Sequence, residues 1–417
     1  MTTIARRTAA VVALWACAPA CRGEYVVAVL EPTSTSSGEH ETSTIHGGSS
    51  TGAATSSGLG SSDASSADSS STDVPTCDDG ASEGSDSTET TGPLPTCEAP
   101  MGHTVCDSDL DPMHALGLGC SGGAQESTPV IDPVVTGDPQ TLAVATRFGD
   151  DGNAHFVPTE GSKLLVISTG TLDKIGDHVE VPLGRTYAED GDNPNPDGAL
   201  PEPIVPEPGS AGGPCGTPFV GCDGIGDCSE SLPEVWEAGG ALAHDLAWLR
   251  FDVAVPAGTF GYRVDLAWFT AEFPEAHAAS ASDLLVWWQS SERFTGNVAT
   301  VDGAALTVAN AGATIVSEGF VGNAPELAGT GFESTEAAAC DTPWIDYPAG
   351  QCPNGGSTGW MTLQGPAHPG EIVTVAVALF DVGHANIDSA VVLDNWRWNC
   401  DGCTPGASCG LGPLQDR

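Results

Sequence analysis

The stretch "EIVTVAVALF", residues 371 to 380, constrains the fold more than any other part of the chain. Apolar residues stand at both alternating sets of positions, so a strand made from it needs cover on both faces. Such a strand is expected at the centre of its sheet. Runs of similar kind surround it: "KLLVIST" at 163–169, "LAWLRFDVAV" at 246–255, "DLLVWWQS" at 283–290, "ATVDGAALTV" at 299–308 and "SAVVLDNWRW" at 389–398. In "GYRVDLAWF", Tyr262, Val264, Leu266 and Trp268 alternate with Arg263, Asp265, Ala267 and Phe269. That period of two predicts a strand with one face in the core. Turn residues separate nearly every run, as in Pro256-Ala257-Gly258. Long helical periodicity is absent, and only a short helix over Pro112 to Leu118 is predicted. The expected fold is all-β: an antiparallel β-sandwich of jelly-roll type, carrying long disulfide-stapled inserts. Trp287 and Trp288 are adjacent, so they point to opposite faces. Both can be core only if both faces of their sheet are covered.

The amino terminus, "MTTIARRTAAVVALWACAPAC", has a positive region at Arg6 and Arg7 and then a short apolar run. That run is too short to span a bilayer and reads as an export signal. Small residues and a cysteine follow, as in a bacterial lipoprotein signal, so the predicted partner is the membrane, reached through an amino-terminal lipid. Cys21 follows "APA", and Cys17 follows "LWA". Lipidation at Cys21 would leave twelve further cysteines, a number that can pair completely; Cys17 is the alternative. Simple secretion after cleavage of the signal also fits. The predicted organisation is a signal over 1–21, a disordered low-complexity tether over 22–96, and a sandwich domain with a cysteine-rich tail over 97–417. The tether is rich in Ser, Thr and Gly, and no aromatic residue occurs between Val26 and Arg147. Such a segment buries too little apolar surface to offset its ordering entropy. About 65 flexible residues have an r.m.s. span of roughly 40–50 Å.

Lys and Arg total 12 against 56 Asp and Glu, which gives a formal net charge of −44. The chain is therefore expected to repel nucleic acid and to attract cations. In an exported chain the cysteines are expected as disulfides rather than zinc ligands. Local candidates are Cys340 with Cys352; Cys215, Cys222 and Cys228 in the Pro/Gly-rich stretch 186–235; and Cys400, Cys403 and Cys409 in the tail.

No Gly-rich phosphate loop, zincin helix or dinucleotide fingerprint is present. "GCSGG" at 119–123 resembles the surroundings of a nucleophilic serine but has no His/Asp partners, and is read as chance. "EDGDNPNPDG" at 189–198 suggests a calcium loop, but its prolines break that spacing. The acids near strand ends carry more. Glu272, Glu275 and Asp283 lie between two apolar runs, with His277 among them. Asp381, Asp388 and Asp394 lie along "FDVGHANIDSAVVLDN". Glu272, Asp283, Asp381 and Asp388 could converge at one rim of the sandwich on a Ca²⁺ ion, which takes oxygen ligands in irregular geometry. The plainer expectation is that they cap loop N–H groups. A third reading makes Glu272 and Asp283 a glycosidase pair.

The ordered stretches "DPMHALGLGC", "VPTEGSKLLVISTG", "LAWLRFDVAVPAG", "LAWFTAEFPEAHAASASDLLVWWQSSERFTGNVA" and "PGEIVTVAVALFDVGHANIDSAVVLDNWRW" resemble the choice-of-anchor L domain proteins, in their secreted or lipoprotein form from myxobacteria. The resemblance covers roughly Asp111 to Cys400. It implies an extracellular β-sandwich joined to a surface anchor; it does not imply an enzymatic activity. Thr270, Glu272, Pro274 and Asp283 fit one family pattern; Phe273 replaces its usual tyrosine and Ser282 its usual Asn. Asp381, Asp388, Ser389, Asp394 and Asn395 match the carboxy-terminal motif.

The function expected on these grounds is a non-enzymatic lipoprotein at the outer membrane or cell surface. It would display a β-sandwich for adhesion or contact with extracellular matrix, surface polysaccharide or another extracellular protein. The alternative is a carbohydrate-binding module that stacks sugars on Trp287 or Trp288, Trp344 and Trp360. A secreted hydrolase comes third.

Overall fold

The computed structural model describes residues 106–120, 128–136, 138–150, 152, 154–181, 197–209, 222–273, 282–308, 310, 325–332, 355–383, 385 and 387–415. The predicted signal and tether, Cys215, Cys340 and Cys352, Trp344, Glu275 and His277 lie outside these residues, as does 189–196 of the acidic Pro/Gly loop. All described residues belong to one compact unit over 72–417.

In chain order the strands begin with β1 (Val130–Thr136), β2 (Leu142–Ala145), β3 (Leu164–Ser168), β4 (Asp173–Ile175) and β5 (His178–Glu180). Next come β6 (Ala243–Ala254), β7 (Gly261–Thr270), β8 (Leu284–Ser290), β9 (Thr295–Asn297), β10 (Thr300–Val301) and β11 (Ala304–Ala305). The last are β12 (Gly356–Ser357), β13 (Met361–Pro366), β14 (Ile372–Val382), β15 (Ser389–Asn399) and β16 (Gly410–Pro413). Two short helices, α1 (Pro112–Ala115) and α2 (Pro233–Ala238), accompany them. One sheet has the order β1-β6-β14-β8-β9. The other runs β16-β13-β7-β15-β3-β2, with β12 added beside β7. Every pairing in these two sheets is antiparallel. The sandwich is thus the expected fold, and β14, the "EIVTVAVALF" strand, sits in mid-sheet between β6 and β8.

The main core lies between the sheets. Leu249, Phe251, Leu285, Trp287, Val375 and Val377 of the first sheet meet Tyr262, Val264, Leu266, Trp268, Val391 and Leu393 of the second. Tyr262 stacks on Trp396 with ring centroids 4.3 Å apart. Its hydroxyl donates to Gln289 Oε1 (2.9 Å) and accepts from Trp287 Nε1 (3.1 Å). A buried polar tip is thereby satisfied within an apolar layer.

Two further apolar layers cover the outer faces. Leu164, Val166, Ala267, Phe269, Ala390 and Val392 on the back of the second sheet pack under Phe148, Phe156, Leu172, Val179, Leu327 and Phe332. Trp288, Val286, Ala376, Ala378 and Phe380 on the back of the first pack under Ile204, Leu232 and Ala305, with Val235 and Trp236 of α2 alongside. This corrects the expectation that β7 buries one face only. Ala267 and Phe269 are as buried as Leu266 and Trp268, because the segments between strands return over the sheet. Trp287 and Trp288 face the inner and outer layers respectively, and neither is exposed.

The outermost strand β1 keeps Ile131, Val134 and Val135 partly exposed. Its ladder to β6 shifts between Ile131 and Val134, where Asp132 takes φ +45° and Pro133 follows.

Ahead of β1, Asp111 caps α1 by accepting from the Met113 N–H at 2.8 Å. The helix ends at Ala115, three residues short of the expected Leu118, because Gly117 turns the chain at φ +83°. Met113, Leu116 and Leu118 are buried in the main core, and the Leu116 carbonyl accepts from the Trp396 N–H (2.8 Å). A Cys106–Cys120 disulfide fastens this lead-in. The cysteine of "GCSGG" therefore has a structural partner, one outside the expected pairs. Cys222–Cys228 and Cys403–Cys409 are bonded, and Cys400 is also in a disulfide. Opening a loop of about 15 residues removes about 3 kcal/mol on chain-entropy grounds. A Cys106→Ser, Cys120→Ser double variant is expected to show that loss as a lower urea midpoint, with an m-value equal to or somewhat above the parent's as the unfolded chain expands.

Candidate functional site

Two acidic groups are built into this sandwich, and they differ in how their charge is met. The first gathers at one end. Asp245 lies on β6, Asp381 on β14, Asp283 just before β8, Glu272 two residues after β7, and Asp388 just before β15. These five positions draw on strands from both sheets. A bulge helps to aim them. The β14–β6 register slips between Leu379 and Asp381, and Asp245 on the facing strand adopts φ +54°. Bulges of this type redirect side chains at the margin of a sheet. Extending the β14–β8 register by one residue sets Asp381 opposite Asp283.

All five are buried, with exposures of 5% for Asp388, 3% for Asp245, 1% for Glu272 and 0% for Asp283 and Asp381. Some oxygens hold loops, as expected. Glu272 Oε2 accepts from the Asp283 N–H (2.9 Å), which closes the long β7–β8 connection at its base. Asp283 Oδ2 accepts from the Ser389 hydroxyl (2.5 Å) and so ties β8 to β15 across the sheets. Gly170 makes room for Asp388, because a Cβ at that position would stand 1.9 Å from Asp388 Oδ2. Asp381 is different. Neither of its oxygens meets a donor in hydrogen-bonding geometry. Its polar neighbours are the Thr169 hydroxyl, which accepts from the Ser389 N–H at 2.9 Å and lowers the Asp381 pKa, and the Asp283 carboxyl. Asp283 Oδ1 is unbonded as well.

The electrostatics follow from burial and like charge. Burial pushes Glu272 up to about 7, opposed by the Asp283 N–H and the Ser282 hydroxyl. Burial raises Asp283 well above the usual carboxylate range, and the charges of Glu272 and Asp388 add to it. Asp381 is raised by burial first, then by Asp283, Asp388 and Asp245. Among the described residues, no lysine or arginine forms an ion pair with Asp283 or Asp381. The two lysines lie elsewhere: Lys163 donates to the Asp109 carbonyl and Lys174 to that of Pro139. Among the described residues, no three or more His, Cys, Asp or Glu side chains are placed so that they could hold a metal ion.

The second group centres on Asp265 and Asp394, which face each other across β7 and β15. Asp394 Oδ2 accepts from the N–H groups of Thr159 and Glu160 (2.5 and 2.9 Å) and from the Thr159 hydroxyl (3.1 Å). Asp265 accepts from Thr159 Oγ1 (2.8 Å), Asn395 Nδ2 (2.7 Å) and Thr362 Oγ1 (3.1 Å), with Arg397 at 3.7 Å. The left-handed Asn395 (φ +61°) lies in the register slip between Asp394 and Arg397 and turns its amide toward this pair. In the sequence Asp394 follows Asp381 and Asp388 along one stretch. The structure puts it in this other group, where its role is to hold the 159–160 loop.

Four of the five residues in the first group were legible as rim acids. Asp245 was not, because its place depends on a bulge in the β6–β14 register. Comparisons with family models, curated proteins and solved structures returned no match for this chain.

Proposed function

We propose that this chain is a non-enzymatic cell-surface lipoprotein whose β-sandwich serves adhesion or contact with extracellular matrix. The observation that carries this reading is the burial of its acids. Glu272 and Asp283, the pair considered for hydrolysis, are 1% and 0% exposed; Glu272 accepts from the Asp283 N–H and Asp283 from the Ser389 hydroxyl. A glycosidase needs two carboxyls flanking an open cleft. The disulfides suit an exported protein, and the amino-terminal signal and Ser/Thr/Gly-rich tether suit display from a lipid anchor. The resemblance of the strand motifs to choice-of-anchor L domains supports the same assignment.

The described tryptophans offer the carbohydrate-binding alternative little support; Trp344 lies outside the described residues. Trp287 and Trp288 are core residues, and among the described residues no tryptophan is exposed. Trp360 is half-buried, with its indole N–H donating to the His155 carbonyl (2.9 Å).

The test has two arms. Expressed in a bacterial host supplied with radiolabelled palmitate, the full chain should take up label and lose it in Cys21→Ala but not in Cys17→Ala. Purified full-length protein should adhere to isolated envelope polysaccharide or matrix protein without releasing soluble sugar. Release of sugar that disappears in a folded Glu272→Gln variant would overturn the reading.

A further inference from the structure

We propose that Asp381 and Asp283 share one proton, and that this proton latches the two sheets together at the acidic end of the sandwich. The inference does not rest on the adhesive role. Its starting point is a pair of fully buried carboxyls on strands that run side by side. Neither Asp381 oxygen, nor Asp283 Oδ1, has a protein donor in hydrogen-bonding geometry. The two carboxyls are nonetheless hydrogen-bonding neighbours of each other. Carboxylates offer only acceptor oxygens, so a bond between them requires a proton on one of the two. Two bare anions side by side and away from water do not both persist. Among the described residues, no lysine or arginine forms an ion pair with either. One proton supplies the missing donor and halves the charge.

The groups around the pair favour that proton. Asp381 is faced by Asp283 from the start of β8, by Asp388 from the start of β15, by Asp245 from β6 and by the Thr169 hydroxyl from the end of β3. Glu272, just after β7, faces Asp283. His244 is opposite Asp381 in the β6–β14 ladder, but its ring stands 3.1 Å from the Asp197 carboxylate. Burial and these like charges act in one direction, raising both carboxyls.

Asp283 carries the effect to the second sheet. Its Oδ2 accepts from the Ser389 hydroxyl (2.5 Å), and its N–H donates to Glu272 (2.9 Å). The Ser389 N–H in turn donates to Thr169 (2.9 Å). With the proton in place, Asp381 pins Asp283 where it can make both bonds. Loss of the proton leaves adjacent anions, which drive Asp283 away and release Ser389 and the base of the β7–β8 connection. The folded pair binds the proton more tightly than the unfolded chain does. The latch is therefore closed at low pH and opens as the pH rises through the apparent pKa of the pair.

The experiment follows amide hydrogen exchange by NMR in the full chain, with rates corrected for the intrinsic effect of pH. Between about pH 5 and about pH 9, protection of the Ser389 amide should fall about 10-fold per pH unit once the pair gives up its proton. Val391, inside the β3–β15 ladder, should fall less. Asp381→Asn places a permanent N–H donor where the proton stood, and should hold Ser389 protection constant over the same range. Asp283→Asn, with its amide nitrogen toward Asp381 and its oxygen toward Ser389, is a second locked variant should the first not fold. Glu272→Gln and Asp394→Asn should keep the parent's loss at Ser389, which separates the latch from the other raised carboxyls. An infrared difference spectrum, parent minus Asp381→Asn at about pH 7, should show the C=O band of one protonated carboxyl. Ser389 protection that tracks Val391 throughout, a locked variant that responds like the parent, or a difference spectrum without that band would overturn the proposal.

Discussion

The protein should lose stability as the pH rises from about 4 to about 7, and Asp394 should account for about 3 kcal/mol of that loss. Burial pushes this carboxyl from an ordinary value of 3.8 up to about 7, against the hydrogen bonds from Thr159 and Glu160. The sign follows from which state binds the proton more tightly. With the folded pKa above the unfolded one, the folded state holds the proton more tightly. The contribution is fully present below about 4 and disappears as the pH passes through about 7. This is opposite to a salt-bridged aspartate, whose contribution is lost on acidification. Urea midpoints measured at intervals across this range give the profile. Asp394→Asn should remove this share of the slope, leaving the part due to Glu272, Asp283 and Asp381, while keeping one acceptor for the 159–160 loop. A parent whose stability rises steadily over the same range would sink this account of Asp394.

Trp287→Ala should cost about 3–5 kcal/mol, near the upper end for a core truncation. Trp287 is fully buried between the sheets, next to Trp396 at a centroid distance of 6.1 Å, and its indole N–H donates to Tyr262. Its loss would leave a cavity in the most tightly interlocked part of the core and remove one bond from the Tyr262–Gln289 chain. Trp360→Ala should cost clearly less, since that residue is half-buried and makes one hydrogen bond to a carbonyl. Denaturant unfolding followed by far-ultraviolet circular dichroism distinguishes the two variants. Equal losses would mean that the inter-sheet layer is not the principal core.

The central position of β14 was legible because its sequence is apolar at both alternating sets of positions, and only a strand covered on both faces tolerates that. The adjacent tryptophans carried the same information, since two large aromatic neighbours require cover above and below. What covers them was not legible. The outer layers come from Phe148, Phe156, Leu232 and Phe332, which stand singly in turn-rich segments without periodicity. Helix α2 was missed for a similar reason, being six residues long with no buried stripe. Strand β1 carries Asp132-Pro133 in its middle, which reads as a turn rather than a strand.

In the site, four acids stood beside apolar runs and could be placed at strand ends by inspection. Asp245 and Asp394 depended on bulges, and a bulge is a property of two paired strands that neither sequence declares alone. The Cys106–Cys120 disulfide was missed because cysteine count and local spacing do not fix connectivity.

The bulge at Asp132-Pro133 has a further consequence for how copies of this protein behave when crowded. Strand β1 is an outer strand of its sheet with apolar side chains partly exposed, the kind of edge on which a second chain can lay down a strand and begin a fibril. An added strand needs an unbroken row of amide donors. Pro133 has none, and the kink at Asp132 throws the remaining groups out of register. The edge is blunted by two residues, and sandwiches packed side by side at high local density should stay separate there.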